Sequence, residues 1–338
     1  MSKKNNINYR KYEDYQSVDI DKLRPSNSYS NLISKRSHPI DQLVKQNGKI
    51  PDDFLHLINC PNCNSSKYKF EIKKDHLNIV KCNDCNLVFT NPIFDEDHYK
   101  QIYKSRDYQE IVKSLGEESH NYRVKRFGTE RINHLLGLFN NKEKIKHLDI
   151  GCSTGFVVEA AIEKNWESIG IDLNPSAIEF GKSRGLPISE TDLMDIKQDS
   201  YYDVVSMYDV LEHLYNPSVI IKKSRELLKD GGLLHIYVPN YDSASRYLMG
   251  KDAHFIWPSH HLIYFTISTI TNFLERRNFD VIDVQTEGLD IFDYIWKLEQ
   301  DNSDSSKELI KIADKLQFFV NAGCYGKNLR ITARLFKK

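Results

Sequence analysis

Four of the six cysteines of this 338-residue chain form two Cys-x-x-Cys pairs separated by eighteen residues. The four are Cys60, Cys63, Cys82 and Cys85. Two apolar runs between the pairs predict a β-hairpin. Two Cys-x-x-Cys turns carried on short strands, called knuckles, place four thiolates tetrahedrally around Zn²⁺. Four protein ligands leave no open coordination position, so the predicted zinc is structural. The alternative is four redox-active cysteines, although no thioredoxin-like pattern surrounds them.

A second candidate site is a glycine turn in residues 147–156, which read HLDIGCSTGF. A short apolar run ends there in Asp149, followed by Gly151 and Gly155, and a helical pattern begins at once. Glycine lets the backbone pass close under a ligand and adopt positive φ. The N–H groups at the start of the following helix favour a polar or anionic group. The turn therefore predicts a ligand site, although a plain structural turn would look similar.

The elements around this turn alternate between strand and helix, which predicts a parallel sheet covered on both faces. Helical patterns occupy residues 156–165, 175–184, 217–229 and 268–277. Seven strands are predicted at residues 145–150, 168–173, 187–191, 203–207, 233–238, 279–284 and 328–336. We expect a seven-stranded, mostly parallel Rossmann-like α/β sheet with ligands beyond the carboxyl ends of its strands.

The remaining chain divides by composition. Residues 1–50 are polar and predict a flexible arm with one short helix, residues 51–95 a zinc ribbon, and residues 96–142 a helical linker. Residues 143–338 form the main domain, with an insertion at about 288–325 that could cap the substrate side. The linker contains an aromatic cluster of Tyr99, Tyr103, Tyr108 and Tyr122. These side chains either form a lid over a substrate or only pack between helices.

Charge and hydropathy exclude several classes of protein. Lys and Arg together number 47, equal to Asp plus Glu, so the basic balance of a typical nucleic-acid binder is absent. No secretory signal and no apolar run of about 18 to 20 residues is present, so we expect a cytoplasmic protein without a membrane span. The sequence gives no indication of oligomeric state.

The glycine turn also suits a dinucleotide fold, whose fingerprint is G-x-G-x-x-G. Here Ser153 replaces the middle glycine that admits a pyrophosphate, and Phe156 stands where the third belongs. The pattern Asp149-x-Gly151-x-x-x-Gly155 instead resembles the first motif of class I S-adenosylmethionine-dependent methyltransferases. A different nucleoside cofactor is therefore expected.

This resemblance continues along the chain at the intervals of that family. Asp172 looks like the acid that hydrogen-bonds both ribose hydroxyls, which suits a carboxylate. Asp192 looks like the group that takes the adenine amino group, with Leu193 supplying an N–H, and Tyr208 stands where the family shapes the methionine end. The expected cofactor-binding residues are Asp149, Gly151, Cys152, Gly155, Asp172, Leu173, Asp192, Leu193 and Tyr208.

Further blocks resemble the small-molecule branch of these enzymes: DVLEHLYNP at residues 209–217, LLKDGG at 227–232 and HHLIYFT at 260–266. The paired cysteines followed by Asn91-Pro92 are similar to zinc-binding methyltransferases of sugar, glycan and natural-product pathways. The resemblance implies a carbohydrate-type acceptor, such as a nucleotide sugar, methylated on oxygen or carbon. The alternatives are an RNA or protein methyltransferase that uses the ribbon to grip its substrate, and a non-catalytic binding module.

Methyl transfer from a sulfonium needs positioning of the acceptor and, for a protonated acceptor, a base. The candidates follow the fourth and fifth strands: His213 first, His261 second, and Tyr208. An imidazole titrates near neutral pH and suits the role. Each could equally serve only to pin its local structure beside the cofactor pocket.

Overall fold

The computed structural model describes residues 11–25, 28–35, 37–95, 98–99, 116–139 and 144–337. Its strands are β1 Leu55–His56, β2 Tyr68–Lys74, β3 Leu77–Cys82, β4 Val88–Thr90, β5 Ile93–Phe94, β6 Lys146–Ile150, β7 Glu167–Ile171, β8 Ile188–Ser189, β9 Tyr202–Tyr208, β10 Leu228–Pro239, β11 Ile263–Tyr264, β12 Phe279–Glu287 and β13 Asn328–Leu335. The α-helices are Ile20–Leu23, Ser28–Lys35, His38–Asn47, Thr129–Leu136, Phe156–Glu163, Pro175–Ser183, Pro217–Leu227, Ala244–Met249, Ile267–Glu275, Asp290–Gln300, Ser305–Leu309 and Ala313–Ala322.

The main sheet has seven strands in the order β12-β13-β10-β9-β6-β7-β8. The pairs β6–β7, β6–β9, β7–β8 and β9–β10 are parallel, whereas β13 runs antiparallel to both of its neighbours. Central strands of such sheets are apolar on both faces, and every residue of β9 is buried. The predicted seven-stranded, mostly parallel α/β sheet is confirmed, with strand ends that differ by a few residues.

A second sheet carries the cysteine knuckles and has the order β11-β4-β3-β2. Strands β2, β3 and β4 come from the expected ribbon, but β11 comes from the main domain, where Ile263 pairs with Phe89 and Tyr264 with Val88. A two-residue strand gives no periodic signal in the sequence, so this pairing could not be predicted. The ribbon is therefore joined to the main domain through a shared sheet.

The N-terminal region differs from the expected flexible arm with one short helix. Three helices lie within the described part of residues 11–50, at Ile20–Leu23, Ser28–Lys35 and His38–Asn47. Ile40 and Ile50 are buried in the same apolar cluster as the ribbon strands. The region contains more helix than expected because a few apolar side chains dock on surface supplied by distant elements, and composition cannot reveal such surface.

A helix of residues 116–136, with a π-helical turn at Val124–Gly128, leads into the main domain. It packs so closely on the helix Phe156–Glu163 that a Cβ at Gly128 would lie 2.8 Å from the Cβ of Ala160. The predicted linker helices around Tyr103 and Tyr108 fall outside the described residues. Among the helices that are described, none is long and apolar enough to cross a membrane.

Candidate active site

The glycine turn between β6 and the helix Phe156–Glu163 has the backbone that its sequence requires. Gly151 has φ +71° and Gly155 has φ +82°, which side chains rarely adopt. A Cβ at Gly151 would lie 2.3 Å from a methyl carbon of Val210, and one at Gly155 would lie 2.9 Å from Leu186. Both positions therefore require glycine, and the backbone between them lines a cavity.

Two acids expected at the cofactor site flank this turn. Asp149 is buried and accepts a hydrogen bond from Ser206 Oγ at 2.5 Å, and burial raises its pKa to about 7. Asp172 accepts from the backbone N–H groups of Ser153 at 2.7 Å and Asn174 at 2.8 Å. Burial raises the pKa of Asp172 despite these bonds. The Asp172 carboxylate thus fixes the turn from the neighbouring strand.

The other expected cofactor residues lie around the same cavity. Asp192 caps the short turn Leu193–Asp195 by accepting from Met194 N–H at 2.8 Å. Leu173 is exposed, whereas Leu193 is buried. Gly155 itself does not line the cavity, although its neighbours Thr154 and Phe156 do. The other eight residues predicted to bind cofactor line it: Asp149, Gly151, Cys152, Asp172, Leu173, Asp192, Leu193 and Tyr208.

The cavity has a volume of about 1220 Å³, which exceeds what a typical single small ligand needs. Its walls also include the N-terminal segment around Arg24 and Tyr29, the linker residue Tyr99, and the insertion residue Phe318. Arg24 is held over this space by an ion pair of 2.7 Å with the buried Asp293. The arm and the insertion therefore contribute to the walls of the cavity.

The histidines proposed as bases lie side by side in the wall of this cavity. His213 lies on the 3₁₀ turn Leu211–His213 after β9, and its ring centroid is 4.8 Å from that of His261. Both line the cavity, whereas the neighbouring His260 is buried and stacks on Trp257 at 3.7 Å between centroids. Burial lowers the pKa of His213 to about 4, so its imidazole is neutral at physiological pH. A backbone hydrogen bond of 2.8 Å from Leu262 N–H to the carbonyl of Glu212 joins the two segments that carry these rings.

Arg131 is a site residue that the sequence did not reveal. Its guanidinium is buried 4.1 Å from the ring centroid of Tyr208 and 4.7 Å from that of Tyr237. Nε and Nη1 have no hydrogen-bond partner among the described residues, although the group lines the cavity. The sequence carried no signal for Arg131, because its burial arises only in the assembled fold. Arg131 is placed to receive an anionic group of a ligand.

The four cysteines of the two knuckles come together as predicted from their spacing. Cys60 Sγ lies 3.4 Å from Cys85 Sγ, Cys63 Sγ lies 3.5 Å from Cys82 Sγ, and all four sulfurs lie within 4.8 Å of one another. Tetrahedral Zn²⁺ with bonds of about 2.3 Å needs sulfurs roughly 3.8 Å apart, so the donor set and its spacing fit zinc. Burial raises the pKa of Cys85 to about 11, against the effect of a backbone hydrogen bond from Leu87.

Comparison with known proteins agrees with this fold. Residues 120–284 match a family model described as a methyltransferase domain. This segment contains the glycine turn, Asp172, Asp192, both candidate histidines and most of the sheet. The fold is thus the α/β fold of a methyltransferase domain, and residues 120–284 resemble that family.

The chain is similar to two proteins named ubiquinone biosynthesis O-methyltransferase. The one from Idiomarina loihiensis is 30% identical over 126 residues, which cover 35% of this chain and 50% of that protein. The one from Leptothrix cholodnii is 25% identical over 124 residues, covering 34% of this chain and 53% of that protein. The match thus spans about half the length of each relative.

Two solved structures show weaker likenesses. A methyltransferase from Burkholderia thailandensis with 1,6-didemethyltoxoflavin and S-adenosylhomocysteine bound is 13% identical, with a TM-score of 0.48 and coverage of 80% of this chain and all of that one. An S-adenosylmethionine-dependent methyltransferase from Archaeoglobus fulgidus is 23% identical, with a TM-score of 0.43 and coverage of 71% and 100%. Both scores lie below 0.5, and nothing further follows from them.

Proposed function

We propose that this protein transfers a methyl group from S-adenosylmethionine to a hydroxyl-bearing small molecule. The observation that carries the proposal is a single cavity whose walls contain both the glycine turn with its acids and two adjacent imidazoles. Arg131 lies beside the turn. Two ligands have to meet in such a cavity, one on the turn and one on the histidines.

Different residues would bind different parts of the cofactor. Asp172 would accept from the ribose hydroxyls, because each carboxylate oxygen retains a lone pair beyond its backbone bond. Asp192 would face the adenine with Leu193, while the bare backbone of Gly151 admits the amino-acid portion. The two unsatisfied nitrogens of Arg131 would donate to its carboxylate. When bound, S-adenosylmethionine supplies an electrophilic methyl group on its sulfonium.

At the acceptor end, His213 is the first candidate for the base and His261 the second. His213 Nδ1 lies 2.9 Å from the carbonyl oxygen of His260, which can only accept, so Nδ1 carries the proton and Nε2 the lone pair. A depressed pKa keeps that lone pair available well below neutral pH. Tyr208 sits under Arg131 with its own pKa raised by burial, so it would shape the pocket rather than remove a proton.

The side chains that line the cavity favour one class of methyl acceptor. Aromatic side chains of the arm, linker, main domain and insertion line the cavity, including Tyr15, Tyr29, Tyr99, Trp257 and Phe318. Flat apolar walls with a few polar groups suit a ring-shaped small molecule. The relatives named as O-methyltransferases favour a hydroxyl oxygen as the nucleophile, and a carbohydrate-type acceptor such as a nucleotide sugar is the second class to test.

We also propose that the four thiolates hold a structural Zn²⁺. Ile263 and Tyr264 of the main domain pair with strand β4 of the ribbon. Asn62 Nδ2 also donates a hydrogen bond of 3.1 Å to Asn272 Oδ1. These contacts join the ribbon to the main domain. Zinc would thereby stabilise the β11 segment that carries His261 on its preceding loop. Free thiolate ligands require a reducing compartment, so we place the protein in the cytoplasm.

The proposal is tested with methyl-labelled S-adenosylmethionine and four separate pools: phenolic small molecules, nucleotide sugars, total RNA and total protein. We expect label in one small-molecule pool, and a rate that falls in the His213→Gln variant without loss of cofactor affinity. Label in RNA or protein alone would overturn the acceptor class. Unchanged single-turnover transfer in His213→Gln would remove that histidine from the base role.

A further inference from the structure

Three side chains that offer lone pairs converge beside the cavity, which His213 and His261 line and Glu212 does not. One ligand atom from each of Glu212, His213 and His261 lies within 4.8 Å of the other two. His213 Nε2 itself is 3.6 Å from Glu212 Oε1, which is too long for a hydrogen bond. A single base would need only one of these groups, so the cluster contains more donor capacity than proton removal requires.

Glu212 is the unusual member of this cluster. Its side chain is fully buried at 0% exposure, and neither carboxylate oxygen has a hydrogen-bond partner among the described residues. The negative charge of Asp209 also acts on it. Buried carboxylates are normally paired, hydrogen-bonded or bound to a metal, because an unpaired one loses its hydration. The position of Glu212 therefore calls for a partner that the described side chains do not supply.

The two imidazoles are oriented as metal ligands are. His213 Nδ1 lies 2.9 Å from the carbonyl oxygen of His260, and His261 Nδ1 lies 2.7 Å from that of Phe255. Each Nδ1 must carry the proton, which leaves the lone pair on Nε2 of both rings. A metal-bound histidine commonly donates its other N–H to a backbone carbonyl in this way, which fixes its tautomer and orientation.

We propose that Glu212, His213 and His261 bind a divalent transition-metal ion beside the cavity. One carboxylate and two imidazoles suit Mn²⁺, Fe²⁺, Co²⁺ or Zn²⁺ better than Mg²⁺ or Ca²⁺, which prefer oxygen ligands. Three protein ligands leave coordination positions open. His213 and His261 line the cavity, so an acceptor oxygen can occupy an open position.

The role of this ion rests on the proposed methyl transfer, whereas its binding does not. An acceptor hydroxyl on the ion would lose its proton to solvent water, because the cation stabilises the oxygen anion. The oxygen would then form the new O–CH₃ bond as the S–CH₃ bond breaks, with the electron pair staying on sulfur to give S-adenosylhomocysteine. In the metal-bound protein His213 is a ligand, and the ion does the work assigned above to a base.

Binding is tested by titrating Mn²⁺ alone into the full chain with the ribbon zinc left in place, by the loss of the free-ion signal in electron paramagnetic resonance. Mn²⁺ is a poor thiolate metal, so the four cysteines do not compete for it. We expect one site per chain, weakened by roughly 10- to 100-fold or more in Glu212→Gln and in His261→Gln. His98→Asn, which removes a surface histidine 2.7 Å from Asp95, is the matched control and should bind as the parent does.

Binding of S-adenosylhomocysteine by the same samples reports whether each variant is folded. If Glu212→Gln does not fold, His261→Gln decides, because that ring lies on the cavity surface. Absence of a Mn²⁺ site in the parent protein, or a site whose affinity neither variant changes, would overturn the proposal. Mn²⁺ binding without any affinity for S-adenosylhomocysteine would instead keep the metal site and refute the proposed function.

Discussion

Arg131 gives the sharpest quantitative test of the cofactor site. Its buried Nε and Nη1 lack partners among the described residues, so we expect both to donate to the carboxylate of the cofactor. A hydrogen bond to a charged group contributes about 1.5–3 kcal/mol, so two at the lower value contribute about 3 kcal/mol. At about 1.4 kcal/mol per factor of ten, Arg131→Met should weaken S-adenosylhomocysteine binding by roughly 100-fold.

Calorimetry with two ligands separates this contact from a general disturbance of the pocket. 5′-Methylthioadenosine has the same nucleoside and sulfur as S-adenosylhomocysteine but lacks the amino-acid portion. We expect Arg131→Met to leave its affinity within about threefold, while Arg276→Met, a control at an exposed arginine, changes neither ligand. Equal losses for both ligands, or no loss for either, would refute the assignment of Arg131 to the carboxylate.

Three further predictions concern proton transfer, the glycine turn and zinc. Because the pKa of His213 is lowered to about 4, the single-turnover rate should show no inflection near pH 6.5 and should fall only as pH approaches 4. An inflection near pH 6.5 would mean that the base is a histidine with an unshifted pKa. Gly151→Ala places a Cβ 2.3 Å from a valine methyl carbon. In urea titrations it should lower the free energy of unfolding by about 2 kcal/mol or more, and it should abolish cofactor binding. The control Gly185→Ala is also at positive φ but in open space, so it should cost only about 1 kcal/mol. Cys85→Ser should lose zinc, as measured by elemental analysis, and should lower the melting temperature of the main domain as well as that of the ribbon. The control Cys324→Ser should do neither. Separate melting of the two parts would contradict their shared sheet.

The main sheet could be predicted because its signals are local. Apolar runs such as those around Leu148 and Val205 alternate with helical periods, and Gly151 and Gly155 mark a turn whose φ values only glycine adopts readily. The cysteine spacing likewise brought four sulfurs together in the structure. In each case the residue type and its neighbours in sequence carry the whole argument.

The rest depends on contacts between segments far apart in the chain. The two-residue strand β11 pairs with β4 across about 170 residues, and Arg24 pairs with Asp293 across 269. Arg131 looked like one more charge on an amphipathic helix, and Glu212 like a polar neighbour of His213. Only burial shows that these two charged groups lack ordinary partners. Burial of that kind is a property of the assembled fold, and sequence periodicity does not report it.

A crystal structure of the protein with S-adenosylhomocysteine tests the central claim most directly, because it locates every contact at once. The account predicts the ribose at Asp172, the adenine beside Leu193, the carboxylate on Arg131, and the sulfur pointing along the cavity toward His213 and His261. A ligand bound away from the turn of Gly151, or one whose sulfur points away from the two histidines, would contradict it.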